Sequence, residues 1–210
     1  MPDSRLRILT SLRVEKVACI RGARLLFREL TFSAAAGEVL SIEGPNGAGK
    51  TSLLRMIAGF LPPAEGSIFL EANGAISEPE ERGTQTGWLG HLDGAKPQLT
   101  AAEVLRFFAA LHGISSDTTG FLARAGLERC AELPCQYLSA GQKKRLALAR
   151  LALTKRPLWL LDEPLAALDS GGKSFAIDLI TSHCASGGIV LAATHEPLGI
   201  ASTRVALGGA

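Results

Sequence analysis

Residues 44–51 read Gly44-Pro45-Asn46-Gly47-Ala48-Gly49-Lys50-Thr51 and match G-x-x-x-x-G-K-[ST], the phosphate-binding P-loop pattern. The apolar run Val39-Leu40-Ser41-Ile42 precedes them, and Ser52-Leu53-Leu54-Arg55-Met56-Ile57 follows. This context predicts strand, glycine loop and helix, the order the pattern requires. Glycines let backbone N–H groups turn inward onto phosphate oxygens, and a helix N-terminus adds partial positive charge. Lys50 has the reach for β- and γ-phosphates, and Thr51 carries a hydroxyl suited to Mg²⁺. Gly44 to Thr51, continued by Ser52, are therefore the predicted nucleotide-binding residues. The competing reading is a plain glycine turn before a helix, and both flanks weigh against it. Gly172-Lys173-Ser174 imitates the tail of the pattern, but Ala167 stands where its first glycine belongs and no apolar strand leads directly into it.

The chain around this motif has 210 residues, room for one domain with a small subdomain. With 47% hydrophobic and 20% charged residues it can bury a core, and a net charge of +2 gives no electrostatic footprint for nucleic acid. The first residues lack an apolar signal region, and no uncharged apolar run reaches bilayer-spanning length. The expectation is a chain soluble by itself or held at a membrane by another protein. Cys19, Cys130, Cys135 and Cys184 show no zinc or redox spacing and read as reduced cytosolic thiols.

Working outward, strands are predicted at 12–19, 25–32, 38–42, 67–70 and 86–90. Residues 71–82 are polar and acidic and read as a surface excursion. Thr100-Ala101-Ala102-Glu103 has the form of a capping box opening a helix. Further helices are predicted at 118–126, 139–154 and after Asp169, with apolar strands at 158–161 and 189–193. Alternating apolar strands and helices predict an α/β core with a mostly parallel sheet. The stretch from about 91 to 150 reads as a helical insertion, within one domain spanning 1–210.

Four further segments carry chemistry. Leu158-Trp159-Leu160-Leu161 is an apolar strand that ends in Asp162-Glu163. A buried strand delivers both acids to the sheet's carboxyl edge, where Asp162 can hold Mg²⁺ and Glu163 can act as general base on water. Two solvated acids at a strand end are the plainer alternative. Ser139-Ala140-Gly141-Gln142 opens a helix as a capping box and presents backbone N–H groups. Asp169 has the form of a helix N-cap. His195 follows the second apolar strand, where an imidazole can meet a γ-phosphate or simply pack.

In order and type, these segments resemble the nucleotide-binding domain of ABC transporters over nearly the whole chain. The resemblance implies an N-terminal antiparallel β subdomain before that core, and an ATPase with ATP and Mg²⁺ as ligands. Catalytic roles fall to Glu163, His195 and Lys50, metal binding to Thr51 and Asp162, the signature to Ser139, Ala140, Gly141 and Gln142, and the D-loop to Asp169. It also implies a head-to-tail homodimer of ATP-binding chains, with Ser139 and Gly141 against the γ-phosphate held by the opposite copy.

Three places depart from the family pattern, the smallest being Ala140 in the signature, where glycine is commoner. His91 occupies the Q-loop position, where a glutamine is usual. The adenine-stacking aromatic is missing from Cys19-Ile20-Arg21-Gly22, although Arg21 offers a guanidinium plane. Ile42-Glu43-Gly44, Leu89-Gly90-His91 with Gly94-Ala95-Lys96, and Leu138 to Arg150 are similar to one subfamily, the CcmA-type ATP-binding subunits of cytochrome c biogenesis heme exporters. That similarity implies integral membrane partners resembling CcmB and CcmC. It also implies a peripheral position on the cytoplasmic face of a bacterial inner membrane. Another transporter's ATPase, or a soluble ABC ATPase acting on ribosomes or DNA, are the other readings. The single domain and near-neutral charge argue against the last.

Overall fold

A computed structural model describes residues 6–90, 94–115 and 117–208. Two sheets and a set of helices form it. Strands β1 (Ser11–Arg21), β2 (Arg24–Ala35), β4 (Glu65–Ala72) and β5 (Gly74–Ile76) make an antiparallel sheet of order β2-β1-β4-β5. Strands β3 (Val39–Glu43), β6 (Thr86–Leu89), β7 (Leu158–Asp162), β8 (Ile189–Ala193) and β9 (Thr203–Ala206) make a parallel sheet of order β6-β7-β8-β3-β9. Every residue of β7 and β8 is buried, as expected for parallel strands covered on both faces.

One face of the parallel sheet packs with α1 (Lys50–Ile57) and the antiparallel sheet around Leu40, Ile42, Leu53, Leu160 and Leu191. The other face carries α5 (Ala140–Thr154) and α6 (Ser170–Ala185) through Leu148, Leu161, Leu179 and Val190. A third apolar cluster joins α3 (Ala101–Leu111) and α4 (Thr119–Arg124) to α5 through Leu105, Leu122 and Leu146. The predicted capping box opens α3: the Glu103 N–H donates to Thr100 Oγ1, and the Thr100 N–H to Glu103 Oε2.

The stretch 71–82 is largely exposed, as expected, but it is regular structure and it sends the Arg82 side chain inward. It forms the end of β4, all of β5 and the start of α2 (Pro79–Gln85), and Arg82 is only 4% exposed. The Arg82 guanidinium donates to the carbonyls of Met56 and Ile57, the last turn of α1, and to those of Ile68 and Ser77. Helix C-termini leave carbonyls without intrahelical partners, and a cation there also opposes the helix dipole. The arginine thus serves an interior contact. Arg82→Ala would remove these charge-assisted bonds from a buried site, although the Gly59 N–H still reaches the Met56 carbonyl, at an expected cost of ~3 kcal/mol. Thermal unfolding should show a midpoint lower by about 10 °C.

His183 near the end of α6 stacks on Trp159 of β7, with ring centroids 3.9 Å apart and planes within 7°. Its Nε2 donates to the Pro157 carbonyl oxygen at 3.2 Å. Burial pushes the imidazole pKa down from 6.5 to about 4. Between those values the unfolded chain binds a proton that the folded chain does not. The neutral stack's stability is therefore complete above pH 6.5 and is lost as pH falls toward 4, on the order of 2–3 kcal/mol. Urea midpoints should drop between pH 7 and pH 5 in the wild type, and drop less in His183→Phe.

Candidate nucleotide-binding site

Three neighbouring strands deliver the site. In the sheet order β7-β8-β3, the loop after β3 is the glycine loop, β7 ends in Asp162-Glu163, and His195 follows β8. All three therefore arrive at the carboxyl edge of one sheet, the usual place for nucleotides in parallel α/β sheets.

The glycine loop leads into α1 with Gly49 as N-cap, φ +103°. A side chain there would bring its Cβ to 2.8 Å from the Phe27 ring, so conformation and space both require glycine. No side chain caps α1 and no acid lies in its first turn. Its first N–H groups are thus left for an anion. Lys50 is 8% exposed and folds back over the loop, its Nζ donating to the carbonyls of Gly44 (2.7 Å) and Pro45 (3.3 Å). The same Nζ lies 3.2 Å from His195 Nε2. An ammonium can only donate, so His195 meets it with a ring-nitrogen lone pair.

Thr51 Oγ1 donates to Asp162 Oδ2 at 2.8 Å. The last rung of the β7–β8 ladder continues into the turn, where the Glu163 N–H donates to the Ala193 carbonyl. Glu163 itself adopts φ +50°, an uncommon conformation for a side-chain-bearing residue, which tips its carboxylate away from the strand. Glu163 Oε1 ends 3.5 Å from His195 Nε2. His195 is presented by a tight turn in which Thr194 Oγ1 donates to the Glu196 carbonyl and accepts the Glu196 N–H. Lys173 of α6 pairs with Glu196 at 2.6 Å.

Pro45, Asn46, Gly47, Gly49, Lys50, Thr51, Ser52, Asp162, Glu163 and His195 line one cleft of about 550 Å³, together with Leu26 and Ala166. Leu26 belongs to β2, the edge strand of the antiparallel sheet, and supplies an aliphatic wall of the cleft. From the same hairpin, Arg24 comes within 4.0 Å of the space a Gly47 Cβ would fill. Neither residue has a sequence signal of its own, because an aliphatic wall matches no motif. Lys144, which with Lys143 and Arg145 reads in the sequence as a solvated basic helix face, donates to the Asp162 main-chain carbonyl at 3.3 Å, from α5 to the end of β7.

The remaining predicted residues lie apart from this cleft. Ser139 and Gln142 form a complete capping box on α5, with Gln142 N donating to Ser139 Oγ (3.2 Å) and Ser139 N to Gln142 Oε1 (2.8 Å). Ser139 and Ala140 are exposed, whereas a Cβ on Gly141 would lie 2.9 Å from the Ala167 carbonyl oxygen. Position 141 thus needs glycine for the close approach, and position 140 has room for alanine. Asp169 caps α6, its Oδ1 accepting the Gly172 N–H at 2.8 Å. His91 lies outside the described residues.

The sequence model of the ABC transporter family matches residues 27–166. This chain belongs to the ABC transporter family. As an ABC ATP-binding subunit it is a transport ATPase, and its curated relatives narrow the group. It is 50% identical over 194 residues to the cytochrome c biogenesis ATP-binding export protein CcmA of Nitrobacter winogradskyi, covering 91% of this chain and 95% of that protein. To the CcmA of Paramagnetospirillum magneticum it is 44% identical, over 88% and 87% of the two chains. The ABC subunit is therefore a member of the CcmA group. Among solved structures, an ATP-binding subunit of an ABC transporter superposes with a TM-score of 0.82 at 26% identity, over 94% of this chain and 86% of that one. A bacterial Atm1-family exporter with ATP bound also gives 0.82 at 21% identity, over 97% of this chain and 38% of that one, and shows the shared fold.

Proposed function

We propose that this chain is the ATP-hydrolysing subunit of a membrane ABC complex for cytochrome c maturation, driving heme export or release of a heme-loaded chaperone. The observation that carries the ATPase chemistry is the meeting of Thr51, Asp162, Glu163, Lys50 and His195 at the ends of three adjacent strands. The maturation role rests on the near full-length identity to CcmA proteins.

The residues fit Mg²⁺. Thr51 Oγ1 and Asp162 Oδ2 are hard oxygens 2.8 Å apart, close to the ~2.9 Å edge of an octahedron with ~2.0–2.1 Å metal–oxygen distances. When bound, the ion neutralises developing charge on the β- and γ-phosphates. Lys50 leaves the Gly44 and Pro45 carbonyls and donates to phosphate oxygens instead. The main-chain N–H groups of residues 47–52 cradle the phosphates. Glu163 accepts a proton from the attacking water, and His195, released by Lys50, contacts a γ-phosphate oxygen through a ring nitrogen that carries a hydrogen, the tautomer opposite to the one that faces Lys50.

The signature residues Ser139 to Gln142 do not line the cleft of their own chain. That supports a head-to-tail pair of ATP-binding chains in which Ser139 and Gly141 serve the partner's nucleotide and Asp169 lies at the shared interface. We place the helical subdomain at about 91–150 of a single 1–210 domain. Among the described residues no helix is long and apolar enough to cross a membrane. The proposal is a peripheral subunit on the cytoplasmic face of the inner membrane, docked on integral subunits resembling CcmB and CcmC. Its docking surface is proposed around residues 94–108, next to the sequence position 91 that the family resemblance assigns to the Q-loop. Exposed apolar side chains flank that stretch: Phe60, edge-on to Trp88, and Phe107 with Leu111 at helical spacing on α3.

Tagged Glu163→Gln protein, captured with ATP from detergent-solubilised membranes and read by mass spectrometry, tests the assignment. Recovery of the heme-handling membrane subunits supports it. A different permease would leave the ATPase chemistry and remove the cytochrome role.

A further inference from the structure

Cys130 closes a 3-10 turn (Glu128–Cys130), and its sulfur accepts a hydrogen bond from Gln142 Nε2 at 3.2 Å. The other end of the same amide, Oε1, accepts the Ser139 N–H. The glutamine amide is thus held at both ends: the Ser139 N–H takes the carbonyl oxygen, and the sulfur fixes the NH₂ end. With the carbonyl end turned to Ser139 and the Gln142 N–H on Ser139 Oγ, the hydroxyl hydrogen is left to donate outward.

The acceptor is itself held by main-chain hydrogen bonds on both sides. The Cys130 N–H donates to the Leu127 carbonyl, and its own carbonyl accepts from Leu133 N. The following residues are tied to the start of α3, Ala102 N donating to the Ala131 carbonyl and Ala101 N to that of Leu133. One turn further along α5, on the same face as Gln142, Arg145 Nη1 donates to the Ala125 carbonyl just before this segment. The 125–133 segment is therefore bound to α3 at one end and to the first turns of α5 at the other.

We propose that Cys130 is a positioning residue for the signature segment. Its sulfur orients Gln142, and Gln142 holds Ser139 for the nucleotide of a second copy of the chain. This rests on the reading of Ser139–Gln142 given above. Removing the acceptor leaves the NH₂ end of the amide unheld, so that the bond from the Ser139 N–H to Oε1 alone restrains the Gln142 side chain. The chain's own P-loop does not depend on this contact.

The test uses the full chain carrying Glu163→Gln, in which ATP-driven self-association is followed by sedimentation. A fluorescent ATP analogue at low protein concentration reports binding by the single copy. Cys130→Val is expected to weaken association roughly fivefold, the effect of one lost neutral hydrogen bond, with analogue binding unchanged within about twofold. Cys130→Ser, whose hydroxyl can accept from the amide, is expected to restore association. If valine prevents folding, Cys130→Ala takes its place. Wild-type association in Cys130→Val, or failure of serine to restore it, overturns the proposal. Ser139→Ala separates the two levels. If it weakens association while Cys130→Val does not, only the positioning role falls. If Ser139→Ala has no effect, the signature reading falls and the positioning role with it.

Discussion

Glu163→Gln is expected to lower the ATP turnover of the assembled complex by about 10²–10⁴-fold while leaving ATP binding within a few-fold of wild type. The side chain stands beyond the last residue of a fully buried strand, on a backbone turned to φ +50°, 3.5 Å from His195 Nε2. Glutamine preserves the size and hydrogen-bonding reach of the group and removes only its capacity to take a proton. Neither the phosphate cradle nor the Thr51–Asp162 contact involves it, so affinity has no reason to change. Steady-state phosphate release and equilibrium nucleotide binding on the same preparation check both halves. Turnover at the wild-type rate would remove Glu163 from the role of base.

Lys50→Ala should instead abolish binding at working concentrations, weakening ATP affinity by about 10²-fold, equivalent to ~3 kcal/mol for lost charge-assisted bonds to phosphate. In the structure Lys50 is already the cation of the loop, shared between two loop carbonyls and His195. Nucleotide exchanges those neutral acceptors for phosphate oxygens, a gain that alanine cannot reproduce. Titration calorimetry with ATP measures it, and an unchanged melting temperature shows that the loop still folds. Retained affinity in a folded Lys50→Ala protein would contradict the assignment.

The two variants also mark what could be read in the sequence. Residues 44–51 and the run 158–163 declare themselves because phosphate chemistry demands fixed residue types at fixed spacing and buried parallel strands are continuously apolar. The capping boxes at Thr100 and Ser139 were legible for the same reason: two local partners three residues apart satisfy a helix end without help from the rest of the chain. In 71–82 the acids do face solvent and the exception is Arg82, whose interior role has no local signal because only the fold brings the end of α1 to it. Strand β9 went unpredicted because Thr203-Arg204-Val205-Ala206 lies at the sheet edge with only Val205 buried. Leu26, Lys144 and Cys130 act through contacts 18 residues or more away for Lys144, across elements for Leu26, and through a sulfur for Cys130, none of which leaves a periodic trace.

The measurement closest to the central claim is the level of mature c-type cytochromes in a bacterial strain whose own CcmA has been deleted. Wild-type chain, expressed there with its cognate membrane subunits, is predicted to restore covalently heme-bound cytochrome c, and the Glu163→Gln chain at equal abundance is predicted not to. Equal restoration by both would contradict the claim that ATP hydrolysis at this site drives maturation, and restoration by neither would contradict the cytochrome c role itself.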